Sequence, residues 1–159
     1  KKMRKIIKVF VLAILITACS SSVDANKKMA GEFLDLALSD NPLTAQELTH
    51  PEFKFVFMGN TEISNIPNDR DAYFDYWLPE VVGKLLPNGI TLTTTDMIAD
   101  DDGVAVIMEG DAEGINGEYD NKYVFVYKFK DGKIFSIHEY NSDLLVATRL
   151  YKNKLVPSD

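Results

Sequence analysis

The chain has 159 residues, with 24 acids against 17 Lys and Arg and a formal charge of −7. That length suits one domain able to bury a core without cross-links, and a single cysteine excludes an internal disulfide framework. The acidic balance excludes a protein built to grip nucleic acid or anionic headgroups by charge.

The chain opens on Lys1, Lys2, Arg4, Lys5 and Lys8, then an apolar run from Val9 to Ile16. That run is too short to span a bilayer, which takes roughly 20 residues. It has the length of a signal-peptide core. Ile16-Thr17-Ala18-Cys19 follows, with Ser20, Ser21 and Ser22 behind it. Small residues before a cysteine after an apolar run resemble the lipobox of bacterial lipoproteins. The resemblance implies cleavage before Cys19, acylation of its thiol and attachment to membrane lipid through that residue, on an exported protein. Ser20 after the cysteine implies the outer membrane in a Gram-negative cell. More than one acyl chain makes such an anchor stable, at about 0.8 kcal/mol per buried CH₂. The expected organisation is a signal peptide over 1–18, a lipidated tether over 19–26 and a domain over 27–159. Removing the five basic residues of the signal leaves 12 Lys and Arg against 24 acids, a formal charge of −12.

Within the domain, Met29, Phe33, Leu34, Leu36, Ala37 and Leu38 recur at helical spacing, which predicts an amphipathic helix over about 25–39. Asp40-Asn41-Pro42 ends it. Thr44–Thr49 reads as one helical turn with Thr44 as N-cap. Phe53, Phe55 and Phe57 alternate with Lys54 and Val56 as a short strand. Asn68-Asp69 caps a helix carrying Ala72, Tyr73, Tyr76 and Trp77. Pro79 disrupts a helix interior and is expected to open a separate helix over 79–86, stopped by Pro87-Asn88-Gly89. From Ile90 the period changes to two. Strands are expected over Ile90–Ile98, Val104–Gly110, Tyr119–Lys130 and Lys133–Asn141, with turns at Asp100–Gly103, Asn116-Gly117 and Asp131-Gly132. Leu144–Tyr151 closes as a short helix. Helices first and an antiparallel meander afterwards predict an α+β fold, with the helices on one face of a strongly curved sheet.

The ordered set Asp69-Arg70-Asp71-Ala72-Tyr73-Phe74, Leu86-Pro87-Asn88-Gly89-Ile90, Asn116-Gly117, Tyr119, Asn121, Tyr123, Asp131-Gly132-Lys133-Ile134 and Glu139-Tyr140 resembles the SnoaL-like proteins. These are relatives of ketosteroid isomerase in the NTF2-like superfamily. The resemblance implies a cone with a pocket open at one end. It also implies an open sheet face through which many such domains form homodimers. Fold alone does not fix function. Ketosteroid isomerase pairs an Asp base with an oxyanion hole of a Tyr and a protonated Asp. Laid on this chain, those Asp positions fall at Phe57 or Met58 and at Phe125, which carry no proton. That argues against the isomerase's own chemistry.

Close SnoaL-like relatives end the last strand with Glu-Tyr-x-Asp-Thr, and here the run is Glu139-Tyr140-Asn141-Ser142-Asp143. Asp143 and Glu139 are therefore the weak catalytic candidates, with a helix cap as the plainer role for Asp143. His138 points to the face opposite Glu139 on a strand and reads as structural. Asp100-Asp101-Asp102-Gly103 lacks the ligand spacing of a Ca²⁺ loop, and no Gly-rich phosphate loop is present, so neither a metal nor a cofactor is expected. Arg70, between two acids at a helix start, reads as a surface ion pair. Asn121, Tyr123, Phe125 and Tyr127 share one strand face, with Tyr73 and Trp77 on a nearby helix. These residues predict either a packed core or an apolar ligand site with Asn121 and Tyr123 holding the ligand's polar end while Phe125, Trp77 and Tyr73 wall the rest. The reading is a membrane-anchored domain that binds a small apolar ligand or a protein partner without catalysis. The alternative is an isomerase- or cyclase-type enzyme. A cavity containing a carboxyl of raised pKa would favour the enzyme.

Overall fold

The computed structural model describes residues 22–157. The signal segment and Cys19 lie outside the described residues. The first helix, α1, is described over residues 22–37, and residues 22–26 of it fall within the stretch assigned to the tether. It buries Ala30, Phe33, Leu34 and Ala37, an i, i+3, i+4, i+7 stripe that faces the sheet. Leu38, expected on that stripe, lies past the helix end and is 39% exposed. A single turn, α2 (Leu43–Glu47), follows; its N-cap is Pro42, with no side-chain cap, not Thr44.

Strand β1 (Thr49–Met58) is twice the length expected from its Phe alternation and takes in His50. The short β2 (Pro67–Asp69) pairs with it. Asp69 then caps α3 by accepting from the Ala72 N–H at 3.0 Å. Helix α3 continues over 70–85 without the break expected at Pro79. From Tyr73 to Val82 it is π-helical, with Pro79 inside. A widened turn draws the preceding carbonyls away from the proline ring, which in an α-helix would strike the carbonyl four residues back. The helix stops where Leu86 becomes extended before Pro87 (φ −125°, ψ 71°).

The remaining strands are β3 (Ile90–Asp100), β4 (Gly103–Gly114), the two-residue β5 (Gly117–Glu118), β6 (Lys122–Lys130) and β7 (Lys133–Tyr140). Residues 119–121, expected inside β6, instead link β5 to it. A last helix, α4, covers 143–150. The sheet order is β2-β1-β7-β6-β4-β3, with β5 on β4. The expected antiparallel meander holds from β3 to β7, but β1 lies parallel to β7, so the sheet is mixed. Bulges between Thr49 and Lys54, Thr94 and Asp96, and Lys128 and Phe129 break the register and sharpen the local bend. The strongly curled sheet forms a half-barrel over α1 and α3, an α+β cone.

Strand parity places the core inside the curl. Phe53, Phe55 and Phe57 of β1, Val104, Val106 and Met108 of β4, and Tyr123, Phe125 and Tyr127 of β6 are buried, while Lys122 and Lys128 are exposed. Phe33 of α1 is fully buried and meets Phe53, Tyr73, Phe74 and Tyr127 at centroid distances of 6.2–6.4 Å. Such ring pairs contribute about 0.5–1.5 kcal/mol each beyond area burial.

Candidate active site

Toward one end of the cone the rings do not fill the interior. A cavity of about 80 Å³ remains, bounded by Trp77 and Tyr73 of α3, Phe57 of β1, Tyr123 and Phe125 of β6, and Glu139 of β7. Leu34 and Leu38 from the end of α1, Ile63 from the β1–β2 loop and Leu150 of α4 also line it, with aliphatic side chains of α3 and β3. Trp77 sits over Phe57 and Phe55 at centroid distances of 5.6 and 5.0 Å, and Tyr123 stacks on Phe125 at 5.6 Å. The i, i+4 spacing of Tyr73 and Trp77 keeps both on the sheet-facing side of α3.

Glu139 is the one carboxyl that lines this cavity. Its cross-strand neighbours are Phe57 on one side and Phe125 on the other. It is half-buried, and removal from water pushes its pKa up to about 7, against a smaller lowering by the Asn141 amide. That amide donates to Glu139 Oε1 at 3.0 Å. The negative charge of Glu139 and burial together hold the hydroxyls of Tyr73, Tyr119, Tyr123 and Tyr127 protonated, burial being the larger cause in each. A carboxyl that titrates near neutrality among protonated tyrosines can accept or deliver a proton.

Tyr119 also lines the cavity. Its hydroxyl oxygen accepts from Asn121 Nδ2 at 3.0 Å. Burial raises its pKa, and the neighbouring Tyr123 and Asn121 side chains offset part of that rise. With the Asn121 amide donating to its oxygen, the Tyr119 proton is left to point elsewhere, and the donated bond polarises it. Asn121 Oδ1 in turn accepts from the backbone N–H groups of Lys122 and Ser142, at 2.8 and 3.2 Å.

The structure thus brings Tyr73, Trp77, Tyr123, Phe125 and Glu139 to one cavity and leaves Asn121 and Asp143 outside its lining. Asn121 is buried with its amide engaged by Tyr119 and the chain at Ser142, so it stands behind Tyr119 and does not itself line the cavity as expected. Asp143 is not the cap of α4: Ser142 caps it. Asp143 Oδ2 accepts from the Asn60 backbone and side-chain amides at 2.9 and 3.3 Å, pinning the β1–β2 loop. Gly59 makes this possible, because a Cβ there would meet Asp143 Oδ1 at 2.2 Å. His138 lies between Val56 and Val126 in the register, on the sheet's outer parity. Arg70, expected in a surface ion pair, has a buried Nε with no hydrogen-bond partner. No three His, Cys, Asp or Glu side chains among the described residues are grouped to hold a metal ion, and no described helix is long and apolar enough to cross a membrane.

Tyr119 is not among the site residues expected from the sequence, and Glu139 is only a weak candidate there. The available signal was parity. Ile137 and Glu139 are two apart on a strand whose Ile137 belongs to the core, so a charged residue was aimed inward.

A curled sheet and helices enclosing an apolar cavity with one inward carboxyl define a pocketed cone of the NTF2-like kind. The SnoaL-like domain family matches residues 30–137, and the chain belongs to that family. Among solved structures it is similar to Bal32a from a soil-derived mobile gene cassette, at 20% identity and a TM-score of 0.68 over 80% of this chain and 96% of that one. It is similar also to a candidate isomerase from Bacillus subtilis (20%, TM-score 0.68, 82% and 95%). A candidate SnoaL-like polyketide cyclase from Jannaschia sp. CCS1 is comparable (14%, TM-score 0.67, 83% and 95%). At these identities the likeness shows the fold. No curated protein matches the chain in sequence.

Proposed function

We propose that the domain is an acid–base enzyme of the isomerase/cyclase class, acting on a small hydrophobic carbonyl compound. The observation that carries this is a single carboxyl, Glu139, in a largely apolar cavity that Tyr119, its hydroxyl oxygen hydrogen-bonded by the Asn121 amide, also lines. Ionised Glu139 takes a proton from the carbon beside the substrate carbonyl and becomes a neutral acid. The electron pair of the broken C–H bond moves to the carbonyl oxygen, where the Tyr119 hydroxyl donates to the developing enolate. Return of the proton from Glu139 to a different carbon completes an isomerisation; alternatively, attack of the enolate carbon on a second carbonyl within the molecule forms a ring and an alkoxide, and passage of the Glu139 proton to that alkoxide completes the ring closure and restores the base. The apolar walls exclude water and hold the base near neutrality. A cavity of about 80 Å³ is too small for a steroid nucleus, since sites for drug-sized ligands span about 300–1,000 Å³.

The test is α-proton exchange, followed by NMR in D₂O on 2-pentanone and cyclohex-2-enone. Wild type should catalyse exchange. Glu139→Gln should abolish it, and Tyr119→Phe should lower it about 10²-fold, within the range for loss of one oxyanion donor. Exchange unchanged in Glu139→Gln would refute the catalytic reading and restore a purely ligand-binding one.

Export and lipidation at Cys19 complete the proposal. They rest on the basic, apolar and Ile16-Thr17-Ala18-Cys19 segments of the sequence. Residues 22–26 of the assigned tether are helical and continuous with the rest of α1, so lipidation at Cys19 would hold the domain close to the bilayer. The exposed outer face of the sheet, with Tyr140 and Ile98 at 44% and 64% exposure, is the surface proposed for a homodimer.

A further inference from the structure

The cavity behind Trp77 is too small to be the whole of a ligand site, and a second space adjoins it. A groove of about 450 Å³ runs between the end of α1 and α3, past Ser39, Pro42, Phe74, Pro79 and Gly83. Leu38, Leu78, Val82, Leu86 and Ile90 line both the groove and the cavity. These aliphatic side chains stand between the two. Four of the five are partly open to solvent: Leu38 is 39% exposed, Leu78, Val82 and Ile90 are half-buried, and Leu86 is buried. Leu78 and Val82 stand on the π-helical part of α3 that contains Pro79, where wide turns and a missing N–H weaken the backbone ladder. The Glu139 side of the cavity is walled by buried rings instead.

We infer that the ligand is an amphiphile with an uncharged carbonyl head at Glu139 and Tyr119 and a straight aliphatic tail, which passes between Leu38, Leu78 and Val82 into the groove. This rests on the reading of the Glu139 cavity as the ligand site and adds the substrate class. An uncharged head follows from the chemistry: a carboxylate would meet Glu139 and a protein of net negative charge. An aliphatic tail follows from the shared aliphatic walls and from Gly83, which leaves the groove floor bare. Cavity and groove together reach the usual size of a small-molecule site, about 300–1,000 Å³.

Trp77 is the only tryptophan and lines the cavity, so its emission reports occupancy of the head site. The experiment titrates the full chain with 2-alkanones from 2-pentanone to 2-undecanone. Affinity should rise with each added carbon well past five, by about 100-fold across the series. Gly83 contributes to the groove and not to the cavity, and a Cβ there comes no closer than 3.5 Å to Leu78 O. Gly83→Phe should therefore remove the gain for 2-undecanone while leaving 2-pentanone binding unchanged. A flat series, or a gain untouched by Gly83→Phe, overturns the inference. So does ligand-reversible self-association in sedimentation, which would make a second copy the occupant of the groove. Because the readout is binding, α-proton exchange that fails while the tail gain persists refutes the catalytic reading alone. Exchange that proceeds while the series stays flat refutes the tail alone.

Discussion

Glu139 of β7 lies directly across from Phe125 of β6, so the cavity's carboxyl rests against an aromatic ring at its own level of the sheet. The parallel partner on the other side is Phe57. The positions that the family resemblance associates with carboxylates, Phe125 and Phe57 or Met58, are thus apolar, and Glu139 stands on the strand between them. In the proposed mechanism the base therefore sits on β7 and on neither flanking strand.

Burial of Glu139 makes stability depend on pH. Its folded pKa of about 7 exceeds the ordinary value of 4.5. Between these values the folded state binds more protons than the unfolded chain, so stability falls as pH rises from 4.5 to 7 and stays lowered above. Glu139→Gln removes the penalty. Thermal melts should show Glu139→Gln more stable than wild type at pH 8, on the order of 2 kcal/mol after allowance for the side chain's partial contact with water. The two should coincide at pH 4.5. Equal stability at pH 8 would show that the carboxyl is well solvated.

Parity and punctuation made most of the fold legible in advance. The buried triad Tyr123, Phe125 and Tyr127, the Asp69 cap and the turns around Gly117 and Gly132 all follow from local rules. Pro79 misled because a proline rule written for α-helices does not anticipate a π-helical stretch. The parallel pairing of β1 with β7 was illegible because it joins residues some 80 positions apart, and no local pattern encodes such a partner. The site was legible as an aromatic face but not as a mechanism. That Asn121 serves Tyr119 depends on residues 119–121 leaving the strand, whereas strand alternation alone placed the Asn amide in the cavity.

Asn121→Leu should destabilise the fold as well as disable the site. Its amide joins Tyr119 Oη to the backbone of Lys122 and Ser142, and each buried group left unmet costs about 1–3 kcal/mol. Chemical denaturation should register a loss of this order, and α-proton exchange should fall with it. A stability change below about 0.5 kcal/mol would mean that water replaces the amide at both ends.

Gly110 gives the Tyr123 ring its place. A Cβ at this position would lie 2.7 Å from Tyr123 Cε2 and 3.0 Å from Ile90 Cδ1, so Gly110→Ala must push the ring toward the cavity. Overpacking of this kind costs typically about 1–3 kcal/mol. Weaker 2-pentanone binding by Trp77 emission should accompany the loss. Unaltered binding would show that the ring moves along the sheet instead.

Phe125→Ala separates packing from chemistry. The ring is 3% exposed, stacks on Tyr123 and faces Glu139. Its removal should cost about 3–5 kcal/mol and enlarge the cavity beside the carboxyl. Water admitted there would lower the pKa of Glu139 toward its ordinary value, since desolvation is the chief cause of its elevation. The acid limb of the exchange profile should shift to lower pH in Phe125→Ala, as observed by NMR across pH 4–9. Retention of the wild-type midpoint would show that the new space stays dry, as apolar cavities can.

The anchor is tested apart from the site. Cys19 is the only cysteine, so Cys19→Ser removes the only thiol that could accept lipid. Expressed in a bacterial host from the full sequence, wild type should partition into the detergent phase and carry the mass of a diacylglyceryl modification. Cys19→Ser should remain an uncleaved precursor or enter the aqueous phase. Because the described residues that line the Glu139 cavity start at Leu34, α-proton exchange by the released domain should match that of the anchored one. Identical partitioning of the two forms would remove the lipoprotein reading and leave the acid–base site standing.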